Sequence, residues 1–571
     1  MTTANQLPIT VDSNVEMTTR DSVILRADVY RPDDGAPHPV LLCRTPYDKL
    51  RDQYVRVARS LAPRGYTVVV QDSRGRYASD GEFVWQFAEA AQKQDGEDGY
   101  DTVEWASRQP WCDGQIGTWG HSYPSWCIWR LAAEAPPSLT AIFAGGMASN
   151  LMDLNFGVFE TGRRLEWTYQ MAVDARRRAG DESGPQSWVE AAEWWREVER
   201  GKWTWFLPFD DIPDDAFSTL TPQLKRYLRE QNIDFWDFNK VWPKVDVPTC
   251  QVTGWWDRII GTIDNFTGVV RDGSPGRRDQ HRLVVGPWGH SPDSFVRNQG
   301  PLDLGPDADW PYEEVIARWY DWQFKGEYNG LEDEPPVRLF IMGENRWRWE
   351  DEWPLARTRY TDYFLSSNGN ANTTFGDGVL TTEPASGESP SDTYDYDPAD
   401  PVMSMMGLDA QAAARDQAPL AHRQDILVFQ TPPLDEPIEV TGPITLHLFA
   451  SSSAPDTDWT AKLIDVHPDG TAVNLTYGIM RARYRDGFEA PALIEPGREY
   501  EYTIKINPTG NVFLPGHRIR LDVSSSDFPN FDRNHNTGRD FWSDAELRIA
   551  HQTVFHDAVR PSRLVLPVIP R

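Results

Sequence analysis

The chain has 571 residues, 40% hydrophobic and 25% charged, with 56 Lys and Arg against 86 Asp and Glu for a net charge of −30. This length leaves room for about three or four domains with large cores, and the composition excludes collagen-like, disordered and disulfide-stapled mini-protein classes. So acidic a surface repels phosphate backbones and anionic headgroups, so neither nucleic acid nor a membrane is an expected partner.

The N-terminal stretch MTTANQLPITVDSNVEMTTRD has neither a basic start nor an apolar run, and no segment nears the roughly 20 apolar residues of a membrane span. A soluble, cytoplasmic protein is predicted. Between residues 22 and 150, apolar β-rich runs at 23–30, 40–43, 66–71, 116–120 and 139–144 alternate with helical text at 54–62, 95–107 and 125–135, the last ended by Pro136 and Pro137. Such alternation predicts an α/β domain with a mainly parallel sheet, its first part spanning 1–149. From 150 to 245 the strand pattern gives way to helical text carrying Trp167, Trp188, Trp194, Trp195, Trp203, Trp205, Trp236 and Trp242. Two readings fit: an insertion with its own indole core, or a cap whose aromatic walls close a binding cleft.

The α/β text resumes over 246–351, with strands at 248–253, 281–285 and 337–342 and a helix at 312–324. Over 352–571 come β-rich runs at 444–449, 460–466, 500–506, 518–523 and 563–568, separated by Asp, Gly, Pro and Asn turns, which predict a β-sandwich of jelly-roll type. The Gly-, Ser-, Pro- and Asp-rich segment 368–400 reads as a long surface connection or a loosely ordered arm. Four scattered cysteines (Cys43, Cys112, Cys127, Cys250) without CxxC spacing read as reduced thiols.

The chemistry concentrates at three strand ends. Gly117-Thr-Trp-Gly-His-Ser-Tyr-Pro-Ser125 runs from an apolar strand into a helix, and a serine at so sharp a turn projects its hydroxyl clear of the sheet. Position 124 is Pro where the generic GxSxG has Gly, and Pro suits a first helical turn. Ser122 is the candidate nucleophile, with a helix-capping serine as the bland alternative. The strand text ending on Gly254-Trp-Trp-Asp257 supplies an acid, and Gly286-Pro-Trp-Gly-His290 supplies a loop histidine, in the chain order Ser, Asp, His of an α/β-hydrolase. His290 would act as general base and Asp257 as its orienting acid. His121 adjoins Ser122 but neighbouring side chains diverge, which makes it a pocket wall, and His281 reads as a surface residue at a strand start. One oxyanion donor should be the Tyr123 backbone N–H. The loop after strand 40–43 lacks a run of glycines, so the Tyr47 hydroxyl is weighed as the second donor against a purely structural tyrosine. The segment 527–538 offers oxygen ligands at intervals but lacks the closing Glu and central Gly of a calcium loop. No metal or cofactor is expected.

Together with Thr45-Pro-Tyr-Asp-Lys49, Gln71-Asp-Ser-Arg-Gly75, Ser79-Asp-Gly-Glu-Phe83, Met342-Gly-Glu-Asn-Arg-Trp347, Phe449-Ala-Ser-Ser-Ser453, Asp465-Val-His-Pro-Asp-Gly470 and Asn511-Val-Phe-Leu-Pro-Gly-His517, these motifs resemble the cocaine-esterase and X-Pro dipeptidyl-peptidase family of α/β-hydrolases, its cocaine-esterase branch in particular. The resemblance runs from about residue 11 to the end and is weakest in the Trp-rich insertion. It implies a hydrolase domain, an inserted helical cap and a jelly roll, with Ser122, Asp257 and His290 as triad and Tyr47 with Tyr123 as oxyanion hole. The family usually has Gly where Ser125 stands. His121, Trp167, Trp256 and Trp288 are expected to wall the substrate pocket. The predicted activity is hydrolysis of small, aromatic or bulky carboxylic esters through an acyl-enzyme. X-Pro dipeptidyl-peptidase or α-amino-acid ester hydrolase, and acyl transfer with the same triad, are the alternatives. A homodimer is compatible with the sequence.

Overall fold

A computed structural model describes residues 7–150, 157–230, 236–405 and 413–571. The first residues of the N-terminal stretch, 1–6, lie outside the described residues. Strands β1 (Ile9–Thr18), β2 (Ile24–Pro32), β3 (His38–Thr45), β4 (Thr67–Asp72), β5 (Cys112–His121), β6 (Leu139–Gly145), β7 (Thr249–Gly254), β8 (Arg282–Gly286), β9 (Val337–Ile341) and β10 (Arg346–Glu350) form a ten-stranded sheet in the order β1-β2-β4-β3-β5-β6-β7-β8-β9-β10. The pairs from β4 through β9 are parallel, and the edge pairs are antiparallel. Strands such as β4, buried at every position, read as continuous apolar runs because helices cover both faces. Helix α2 (Glu89–Ser107) packs on α3 (Tyr123–Ala133), and α1 (Asp52–Leu61) packs on the helix Tyr312–Lys325.

The cap carries a long helix, α4 (Thr161–Arg178), with short helices at Trp188–Trp194, Arg200–Trp203 and Thr221–Arg229. Its aromatics divide between both readings. Trp195, Trp203 and Trp242 are buried away from any cleft, Trp167, Trp188 and Trp236 line a cavity, and Trp194 and Trp205 serve neither reading at 45% and 39% exposed.

The C-terminal β-sandwich builds an eleven-stranded sheet around one long strand, Ile438–Ser452, which pairs with the strands Tyr500–Phe513, Ala550–Phe555 and Arg563–Ile569. It is fused to the hydrolase part. Met342 N donates to Gly510 O and accepts Val512 N at its carbonyl, and Trp255, Leu283 and Phe340 share one core with Val440 and Leu463. The segment 368–400 is no loose arm: it holds strands Val379–Thr381 and Asp392–Tyr396, and the buried Asp392 carboxylate accepts from Ser367 Oγ at 2.6 Å and Ala371 N at 2.8 Å. Its polar composition marks satisfied internal hydrogen bonds. The segment 527–538 turns its acids toward the chain's own cations, Asp527 to Lys462 at 2.7 Å and Asp532 to Arg481 at 3.4 Å. All four cysteines are free, three of them buried. Among the described residues, no helix is long and apolar enough to cross a membrane.

Candidate active site

Strand β5 ends at His121 and α3 begins at Tyr123, so Ser122 alone makes the turn, at φ 65° and ψ −127°. A positive φ strains any residue with a Cβ. Two hydrogen bonds hold it there: Ser122 N donates to Gly145 O at 3.0 Å, and Ser122 O accepts from Trp126 N at 3.1 Å. Gly146 is required beside it, because at φ +56° a Cβ would lie 2.1 Å from His121 Nε2.

Asp257 and His290 sit just beyond the carboxyl ends of β7 and β8, the edge where open α/β sheets bind ligands. Their two loops are tied together. Trp255 N donates to Gly286 O at 2.9 Å and Trp256 N to Trp288 O at 3.0 Å, an approach that leaves no room at Gly254, where a Cβ would meet Trp288 O at 2.1 Å. His290 Nε2 lies 2.9 Å from Ser122 Oγ, and His290 Nδ1 lies 2.9 Å from Asp257 Oδ1. Asp257 also accepts from Ile259 N at 2.8 Å and Thr253 Oγ1 at 3.1 Å. Burial pushes its carboxyl up, but the neighbouring His290 charge and hydrogen bond outweigh that and hold it at about 2. Asp257 is therefore an anion at neutral pH.

Burial pushes the His290 imidazole below its ordinary value; Asp257 opposes the shift and Arg163 and Arg258 reinforce it. Tyr47 follows β3, the neighbour of β5 in the sheet, and its hydroxyl accepts from Trp167 Nε1 at 3.1 Å. Burial pushes its pKa up, so the hydroxyl keeps its proton. The Tyr123 N–H opens α3, one of the first helical N–H groups that lack an acceptor within their helix.

These groups open onto a cavity of about 390 Å³ lined by Tyr47, His121, Ser122, Trp167, Trp188, Trp236 and His290. That volume suits a small molecule. Tyr47 meets Trp188 edge-on at 5.3 Å. His121 is buried, with its ring 5.2 Å from that of His290, and burial, then the His290 charge, push it to about 3. It is a neutral wall.

Trp256 and Trp288 do not line the cavity. Each directly precedes a loop that carries a site residue, but its side chain turns the other way: Trp256 Nε1 donates to Asn474 O at 3.0 Å, and Trp288 stacks on Phe295 at 4.2 Å while donating to Ala308 O at 2.8 Å. Their indoles support the two loops from behind. His281, read as a surface residue, is fully buried and bonded to Thr249 Oγ1 at 3.0 Å. Trp167 lines the cavity as expected, but sequence reasoning missed the charged and polar residues beside it: Arg163, Glu166 and Gln170 share one face of α4 with Trp167, the four standing at i, i+3, i+7 and i+4.

Two groups among the described residues offer three metal-type ligands: His121, Asp257 and His290, and Asp465, His467 and His517. In the first, Asp257 and His290 are bonded to each other and His290 to Ser122, the geometry of a proton relay, while His121 stands 3.9 Å from Asp257. In the second, Asp465 is hydrogen-bonded to His517 at 2.8 Å.

The X-Pro dipeptidyl-peptidase (S15 family) model matches residues 21–292, and the X-Pro dipeptidyl-peptidase C-terminal non-catalytic domain matches 329–565. The cocaine esterase of Rhodococcus sp. (strain MB1 Bresler) is 36% identical over 98% of this chain and 99% of its own length. The chain belongs to the cocaine-esterase and X-Pro dipeptidyl-peptidase family of α/β-hydrolases. It is a serine hydrolase of the ester-cleaving type. An aminopeptidase from a marine sediment Thaumarchaeota archaeon superposes with a TM-score of 0.79 at 25% identity over 99% of this chain and 97% of that one. An α-amino acid ester hydrolase shares the fold, with a TM-score of 0.77 at 23% identity over 100% and 98% of the two chains. A putative Xaa-Pro dipeptidyl-peptidase of Bacillus cereus aligns over only 38% of this chain and 34% of its own, at 24% identity.

Proposed function

We propose that this protein hydrolyses small carboxylic esters with a bulky or aromatic group through an acyl-enzyme on Ser122. The observation that carries the reading is the unbroken chain Ser122–His290–Asp257, two contacts of 2.9 Å, opening onto an aromatic cavity. In the forward step Ser122 Oγ attacks the ester carbonyl carbon and its proton passes to His290 Nε2. The Tyr47 hydroxyl and the Tyr123 N–H donate to the developing oxyanion. Collapse breaks the bond to the alcohol oxygen, which leaves with the proton from His290. Water then repeats the cycle: it gives a proton to His290, attacks the acyl carbon, and releases the carboxylic acid and the serine hydroxyl, which recovers its proton. Asp257 keeps the Nδ1 proton in place and stabilises the imidazolium throughout.

The 36% identity to an esterase over the whole chain, against 25% to an aminopeptidase of the same fold, supports ester over peptide substrates. So does the cavity: among the described lining residues Glu166 is the single acid, a poor seat for a substrate ammonium.

Tyr47→Phe tests the oxyanion hole. It is expected to lower kcat for p-nitrophenyl esters by about 10²- to 10³-fold with little change in KM, the usual loss of one donor; an unchanged kcat would assign both donors to backbone groups. The pH profile tests the base. Because His290 must be neutral to accept a proton and its pKa is shifted down, kcat/KM of an uncharged ester should rise with pH through a midpoint below the ordinary 6.5 and then stay flat. A midpoint above 7 contradicts the assignment.

A further inference from the structure

We propose that the cavity selects esters that carry a carboxylate on the acyl or the alcohol part, recognised by Arg51 and Arg163. This rests on the esterase reading above and narrows its substrate class.

The described cavity lining holds six arginines against one acid, in a protein whose overall charge is −30. Most of an acidic protein's arginines can find carboxylates, and Arg56 does so at the rim with Asp293 at 2.8 Å. Of the six, Arg51 finds no such partner among the described residues and Arg163 finds only a shared one. Arg51 makes no ion pair among the described residues; its guanidinium rests on the ring faces of Trp188 at 4.7 Å and Tyr47 at 5.6 Å. Stacking leaves the edges of a guanidinium free to donate in its plane, the geometry that suits a carboxylate. Arg163 reaches Glu160 at 3.4 Å, but that same carboxylate pairs with Arg164 at 2.7 Å. One anion is thus shared by two cations, and Arg163, with a side chain 10% exposed, is left with donors to spare at the cavity wall. Both arginines lie near enough for their charge to bear on the Tyr47 hydroxyl, and that of Arg163 also bears on His290. A carboxylate held there would sit beside the reacting centre and supply the charge the pocket lacks. The opposing candidate is Glu166, on the same face of α4, which would instead favour a cationic substrate.

The test compares acetate esters of 3-hydroxybenzoate, 3-methylphenol and 3-(trimethylammonio)phenol, and p-nitrophenyl hydrogen glutarate beside p-nitrophenyl valerate. Each kcat/KM is divided by the hydroxide-catalysed rate of the same ester. At least one carboxylate ester should exceed its neutral partner by about tenfold, the effect of one charge-assisted hydrogen bond, and the cationic ester should fall below it. Raising the salt should shrink the preference. Arg163→Gln should reduce the ratio through the KM of the carboxylate ester, and Arg163→Lys, which keeps the charge, should restore part of it. A merely structural role would lower both partners in parallel. Carboxylate esters at or below their neutral partners in the wild type, or a preference for the cation, overturn the inference without any variant. Turnover of neutral esters that depends on Ser122 but shows no charge preference sinks this inference alone, whereas no turnover of any ester sinks the reading beneath it.

Discussion

Ser122→Ala is expected to lower kcat/KM for p-nitrophenyl esters by at least about 10⁴-fold, leaving only what the cavity and the oxyanion donors provide on their own. The loss should fall on kcat, because the hydroxyl forms a bond in the reaction rather than holding the substrate. Its hydrogen bond to His290 and the two backbone bonds that pin the turn make the effect specific. Alanine keeps the backbone at φ 65° no worse than serine does, so the variant should fold. The thermal unfolding midpoint should therefore stay close to that of the wild type, and a collapse of stability would reveal a structural serine instead.

Asp257→Asn should cost about 10⁴-fold in kcat, nearly as much, for a different reason. The carboxylate accepts from His290 Nδ1 and from the Ile259 N–H through one oxygen and from Thr253 through the other. It therefore needs no proton of its own. An amide placed there can turn its NH2 toward His290, which would then accept at Nδ1 and carry its proton on Nε2, where it can no longer take one from Ser122. With the acid buried, water offers no replacement. A loss below tenfold would mean that His290 is oriented by another group, and the neutral His121 would be the first to consider.

Local grammar made much of this visible beforehand. Parallel strands buried on both faces announce themselves as apolar runs, and the strand ends delivered Ser122, Asp257, His290 and Tyr47 to one edge because each follows its strand directly. What escaped had physical causes. Strand β1 carries a bulge between Asp12 and Val15, which breaks the two-residue alternation that marks a strand. The strand Ile438–Ser452 is longer than its readable core because Gly442 and Pro443 interrupt it, with the register shifting between Gly442 and Ile444. Trp256 and Trp288, expected as pocket walls, face away because their indole N–H groups find backbone acceptors behind the two loops, at Asn474 and Ala308. The arginines were invisible for another reason. Arg51 precedes α1 and Arg163 opens α4, far apart in the chain, and only the packing of cap on hydrolase sheet brings them to one cavity.

The most direct test of a covalent serine mechanism is rapid-quench mass spectrometry of the enzyme during turnover of a p-nitrophenyl ester. An acyl-enzyme on Ser122 predicts a transient mass increase equal to the acyl group, formed with a burst of p-nitrophenol and mapped to the peptide that carries Gly120-His-Ser-Tyr-Pro-Ser125. An adduct on another residue, or full turnover with no adduct and undiminished rate in Ser122→Ala, would contradict it.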